Sequence, residues 1–95
     1  MANGQQQINI KADDTSLKGV YANSMLVSHT REEFVLDFLN VFPPQGFLVS
    51  RVMTSPGHLK RIIAAFTENL AKYERSFGKV EASKEPDRSI GFRDA

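Results

Sequence analysis

Apolar and polar residues alternate with a period of two from Gln7 to Met53, and the period then lengthens to about 3.6. The first part predicts strands. Ile8 and Ile10 sit between polar neighbours over Gln7–Ala12, a short first strand. DDTSLK, from Asp13 to Lys18, is a polar connection closed by Gly19. Val20–Ser28 is a second strand, with Tyr21, Asn23, Met25 and Val27 on one face and Val20, Ala22, Ser24 and Leu26 on the other. HTREE, from His29 to Glu33, is a charged turn, and Phe34–Phe42 is the third strand. Pro43–Gly46, PPQG, breaks the ladder, because two prolines cannot continue it and glycine tolerates positive φ. Phe47–Met53 is the fourth strand.

The second part predicts a helix. Ser55 or Thr54 can cap the free N–H groups at its start, and Pro56 suits its first position. Leu59, Ile62, Ile63, Phe66, Leu70, Tyr73 and Phe77 fall on one stripe. Gly78 stands where a C-cap belongs, and Lys72 and Arg75 favour the negative end of the helix dipole.

The expected fold is therefore α+β: a four-stranded antiparallel β-meander followed by one long amphipathic C-terminal helix packed on one sheet face. The chain divides into a disordered N-terminus (1–6), a single domain (7–78) and a flexible charged tail (79–95). A helix of about 22 residues spans roughly 33 Å and covers only one face. On the third strand Phe34, Leu36, Phe38 and Phe42, with Asn40, are expected under the helix stripe. Val35, Leu39 and Val41 point the other way around Asp37, and no element is left to cover them. With Met25 and Val27 they form an expected oligomer interface, a dimer being the expected form. A register slip of one residue would undo that second face.

Composition narrows the classes. At 95 residues the chain is one domain, with a modest core that association would supplement. It has no cysteine, which excludes disulfides and thiolate zinc sites. The polar start MANGQQQIN is unlike a secretory signal, and no apolar run approaches the roughly 20 residues of a membrane helix. The expected location is the cytoplasm, with no membrane partner. Net charge is +1, with four Lys/Arg and five Asp/Glu in residues 1–55 against eight and six in residues 56–95. A dedicated nucleic-acid binder usually carries a stronger basic excess.

Candidate chemistry is sparse. Ser28, His29 and Asp37 supply the residue types of a nucleophile, a base and an orienter, but nothing around Ser28 resembles a nucleophile elbow. His29 and His58 lack a metal-site spacing, and PPQG lacks the glycines and lysine of a phosphate loop. The expectation is a protein that is not an enzyme and takes no cofactor. Asp37 lies mid-strand among apolar neighbours and needs a partner if buried. Arg51 on the next strand fits as a structural ion pair; a binding-site carboxylate is the alternative. Arg61, Glu68, Lys72 and Arg75 share the outer helix face. Solvation explains that face, and Arg61, Lys72 and Arg75 would also serve a protein or nucleic-acid partner. Tyr21 and Phe47 would be the stacking aromatics in the latter case.

The pieces GVYAN (19–23), VSHTREEFVLDF (27–38), RVMTSPGHLKR (51–61) and ENLAKYERSFG (68–78) together resemble a family of small bacterial and archaeal proteins known only as a domain of unknown function. The resemblance covers residues 7–80 and implies a fold but no activity. The order of four strands then a helix is also similar to the export chaperone SecB and to the single-stranded nucleic-acid-binding PUR and Whirly folds, in topology alone. The function expected is a non-enzymatic binding and oligomerisation module, adaptor-like or chaperone-like, with an unknown protein partner. Single-stranded nucleic-acid binding of PUR/Whirly-like topology is the alternative.

Overall fold

A computed structural model of the chain describes residues 6–84 and residue 91. Its elements are α1 (Asp14–Lys18), β1 (Ser24–His29), β2 (Phe34–Phe42), β3 (Gln45–Thr54) and α2 (Pro56–Phe77). The strands form one antiparallel sheet in the order β1-β2-β3, so β2 is central. The class is α+β, a meander followed by a C-terminal helix, but the sheet has three strands and not four.

The strand expected at Gln7–Ala12 does not form. Ile8 and Ile10 are 81% and 86% exposed. Two apolar side chains bury too little area to offset the entropy of ordering the segment. DDTSLK winds into α1 instead of running as a plain connection. Asp13 Oδ1 accepts the Ser16 N–H at 2.7 Å, and Gly19, at φ 73°, ends the turn where a residue with a Cβ would be strained.

Local chemistry fixes the other connections. Thr30 Oγ1 accepts the N–H groups of Glu32 and Glu33 at 3.2 and 3.3 Å, and the Thr30 N–H donates to the Glu33 carbonyl at 2.9 Å. HTREE therefore turns on its threonine. β2 and β3 meet at Pro43 and Pro44, whose peptide bond is cis. At the start of α2 the Ser55 hydroxyl accepts the His58 N–H at 3.1 Å, with Pro56 behind it. At the end Gly78, at φ 94°, donates its N–H to the Glu74 carbonyl at 2.9 Å.

The pairing register assigns the faces. Opposed residues of an antiparallel ladder share a face. Phe34, Leu36 and Phe38 of β2 oppose His29, Val27 and Met25 of β1, so Met25 and Val27 belong with the aromatic set. Val35, Asp37 and Leu39 oppose Ser28, Leu26 and Ser24. This corrects the expected interface set. Val35, Leu39 and Val41 share one face, while Met25 and Val27 lie on the other. Strand alternation orders residues within a strand, but only the ladder relates one strand to the next.

β3 departs from simple alternation. The register shifts opposite Phe38 and Leu39, which pair with Ser50 and Leu48 and leave Val49 as an extra residue. Phe47 and Val52 consequently share the aromatic face, and Leu48 and Met53 share the other. Simple alternation across Phe47–Met53 puts them in the wrong combination.

The core is small. Leu36 and Leu39 are the buried apolar residues among those described, at 6% and 3% exposure, and no described residue of α2 is buried. The chain exposes 9060 Å², against about 5,500 Å² for a compact monomer of its mass. Exposed apolar side chains of the sheet and helix, Phe42, Phe47, Phe66 and Phe77 among them, contribute to that area. Residues 79–84 have no regular structure. The rest of the expected tail, to residue 95, and all but Gln6 of the expected disordered N-terminus lie outside the described residues, Gly91 excepted.

Candidate association surface

The aromatic sheet face and the first half of α2 meet without closing. Leu36, Phe38 and Val52 form one wall of an open cleft of about 400 Å³, and His58, Arg61, Ile62, Ala65 and Phe66 form the other. The helix thus lies on the expected face but does not seal it. Elsewhere on this sheet face Val27 is 53% exposed, Phe42 62% and Phe47 63%. Along the helix Ile63, Phe66, Leu70, Tyr73 and Phe77 are all at least half exposed. Asn40 sits on this face between Phe38 and Phe42, opposite Phe47, and its Oδ1 is shut from solvent without a hydrogen-bond donor. Apolar side chains thus stand exposed on both walls of the open cleft, Val52 on the sheet and Phe66 on the helix.

The second sheet face is smaller and partly satisfied within the chain. Leu39 is already buried there, and Val35 and Val41 are half-buried. Its β3 edge is open, with Leu48 and Met53 exposed. Its centre is polar. The Arg51 guanidinium donates from Nε to Asp37 Oδ1 at 2.6 Å and from Nη2 to Asp37 Oδ2 at 3.0 Å. These bonds hold the Asp37 carboxyl below its ordinary value, against the opposing effect of burial, and raise Arg51. The two residues are directly paired across β2 and β3, so the fork fits a fixed register. This arrangement is that of a structural pair, and both carboxylate oxygens are occupied by one guanidinium.

The start of β1 is tied to β2 by a side chain. Asn23 Nδ2 donates to the Val41 carbonyl at 3.0 Å, and Asn23 Oδ1 accepts the Val41 N–H at 2.9 Å. The Asn23 N–H also donates to the Leu39 carbonyl at 3.0 Å. The amide imitates one more peptide unit of the ladder, which gives the last residue of GVYAN a structural task. Spacing alone does not reveal it, because the partner lies 18 positions away.

The remaining candidates do not converge. Ser28 opposes Val35 and His29 opposes Phe34, so the two point to opposite faces, and Asp37 belongs to Arg51. The His29 ring lies tilted by 40° against Phe34, with 5.2 Å between ring centroids. His58 lines the cleft. Among the described residues no three of His, Cys, Asp and Glu gather as metal ligands. Of the basic helix residues, Lys72 pairs with Glu68 at 3.4 Å, Arg61 lines the cleft and Arg75 lies in the last turn of α2. Among the described residues no helix is long and apolar enough to cross a membrane.

No curated protein and no solved structure matches the chain. A family model described as "Protein of unknown function (DUF3467)" matches residues 1–82, which span every strand and helix described above, and the chain belongs to that family.

Proposed function

We propose that the chain is a non-enzymatic association module that acts in the cytoplasm as a homodimer and presents apolar surface to a protein partner. The observation that carries this reading is the open contact between sheet and helix. Two buried apolar residues among those described, with Ile63, Phe66, Leu70, Tyr73 and Phe77 of the helix stripe exposed, make a slight core for a monomer. A second copy supplies the missing cover. The Asp37–Arg51 pair and the Asn23 bridge are then the fixed frame from which the open surface is displayed.

Light scattering at low micromolar concentration tests the assembly. The expected mass is twice 10.6 kDa. A monomer of 10.6 kDa across the range would defeat the reading. Binding to nucleic acid gains less from the structure, because Lys72 is engaged with Glu68 and Arg61 borders an apolar cleft.

A further inference from the structure

The helix has a cleft-facing side and an apolar seam, and the two meet at Phe66. The cleft takes His58, Arg61, Ile62, Ala65 and Phe66. The residues Leu59, Ile63, Phe66, Leu70, Tyr73 and Phe77 follow one another at spacings of four, three, four, three and four. That is the repeat of a coiled-coil seam, with Ile63, Leu70 and Phe77 in one core position and Leu59, Phe66 and Tyr73 in the other. At about 100° per residue, the seam and the cleft-facing side lie about a quarter of a turn apart on the helix, with Phe66 at their border. A second helix therefore fits on the seam while His58, Arg61, Ile62 and Ala65 keep the sheet side and Phe66 stands between the two.

We propose that the seam pairs with α2 of a second copy in antiparallel orientation about a two-fold axis. This rests on the homodimer reading and specifies its contact. Antiparallel pairing around residue 68 engages all six seam residues: Leu59 with the partner's Phe77, Ile63 with the partner's Tyr73, and Phe66 with the partner's Leu70. The flanking positions then decide the orientation. Lys60, Thr67 and Glu74 recur every seven residues along one border of the seam. In an antiparallel pair Lys60 meets the partner's Glu74, Thr67 meets its own counterpart, and the ion pair occurs twice by symmetry. In a parallel pair that border faces Ile62, Asn69 and Ser76, and no ion pair forms.

Other features agree. The first turn of α2 holds no acidic residue, so a neighbouring helix C-terminus meets no carboxylate there, and Lys60 follows in the next turn. Glu74 is already oriented, because its Oε2 accepts the Val80 N–H at 2.9 Å. Lys60 has no ion pair among the described residues, and Ile63, Phe66, Leu70, Tyr73 and Phe77 stand 50–75% exposed. With aromatic side chains offering 100 Å² or more apiece, the two seams together bury on the order of 1,200 Å², the lower range of a specific interface.

The absence of cysteine makes the test direct. In the full chain, Thr67→Cys is expected to form an intermolecular disulfide under mild oxidation. Lys60→Cys alone is expected to form none, and a mixture of Lys60→Cys with Glu74→Cys is expected to form the mixed dimer. Glu74→Lys is expected to weaken dimerisation several-fold, and adding Lys60→Glu to restore it. A dimer by light scattering without the Thr67→Cys and mixed cross-links overturns the antiparallel seam and leaves the homodimer standing. A monomer by light scattering overturns both. Phe66→Cys cross-linking in place of Thr67→Cys marks a parallel pair and likewise overturns the proposal.

Discussion

Asp37 shows how one side chain sets a constraint on a strand. Its residue is 6% exposed and its carboxylate is held by the Arg51 fork at 2.6 and 3.0 Å. Removing the arginine leaves a shielded carboxylate without its donor, and the destabilisation exceeds the loss of one exposed ion pair. Arg51→Ala is expected to lower the melting temperature by several degrees. Arg51→Lys, which cannot reproduce the fork, should fall between. Acid acts on the same contact. The folded chain holds Asp37 below 3.8, so near that pH it binds fewer protons at this site than the unfolded chain does. The pair's contribution is complete above 3.8 and is lost as the pH falls through the lower folded value. Denaturant titrations at falling pH should show this loss in the native chain and its absence in Asp37→Asn. Asn23 offers a second measurement at this scale. Asn23→Ala removes both amide contacts with Val41, and should cost about 1 kcal/mol in chemical denaturation.

At the scale of elements, α2 is the best-specified part of the chain. Ser55, Pro56 and Gly78 occupy the positions that start and stop a helix, and each does so in the structure. Ser55→Ala should lower stability by about 1 kcal/mol, measured by denaturant unfolding, because the His58 N–H loses its acceptor. β2 also runs over the residues its alternation predicts, Phe34–Phe42. β3 begins earlier than expected, at Gln45, because the turn needs only Pro43 and Pro44. β1 is shorter than its alternating stretch, since the chain before Ser24 is anchored by Asn23 instead of by ladder pairing. The helix stripe was legible as a stripe, but its division into a sheet-facing side and an exposed side was not. Ile62 and Ile63 are adjacent in sequence, yet Ile62 lines the cleft and Ile63 is 55% exposed.

For the whole molecule, a small core and a large exposed area point to stability that depends on association. A chain stabilised by its own copy melts at a temperature that rises with protein concentration. Scanning calorimetry over a hundredfold range of concentration should show that rise, and a constant melting temperature would speak for a self-sufficient monomer. The sequence by itself determined the α+β class, the meander order, the limits of β2 and α2, the Gly78 cap and the Asp37–Arg51 pairing, while the choice of Ser55 over Thr54 as N-cap came from the structure. Each of these rests on a local period, a capping residue or a charge that has one evident partner. Only the tertiary structure decided that Gln7–Ala12 is no strand, that Met25 and Val27 share the face of Phe38 and Leu36, and that Val49 shifts the register of β3. It also decided that the open surface lies chiefly on the helix and the aromatic sheet face. Those facts depend on which strand lies opposite which residue, and on how closely a helix settles on a sheet. Contacts between distant parts of the chain set both, and periodicity within a segment does not encode them.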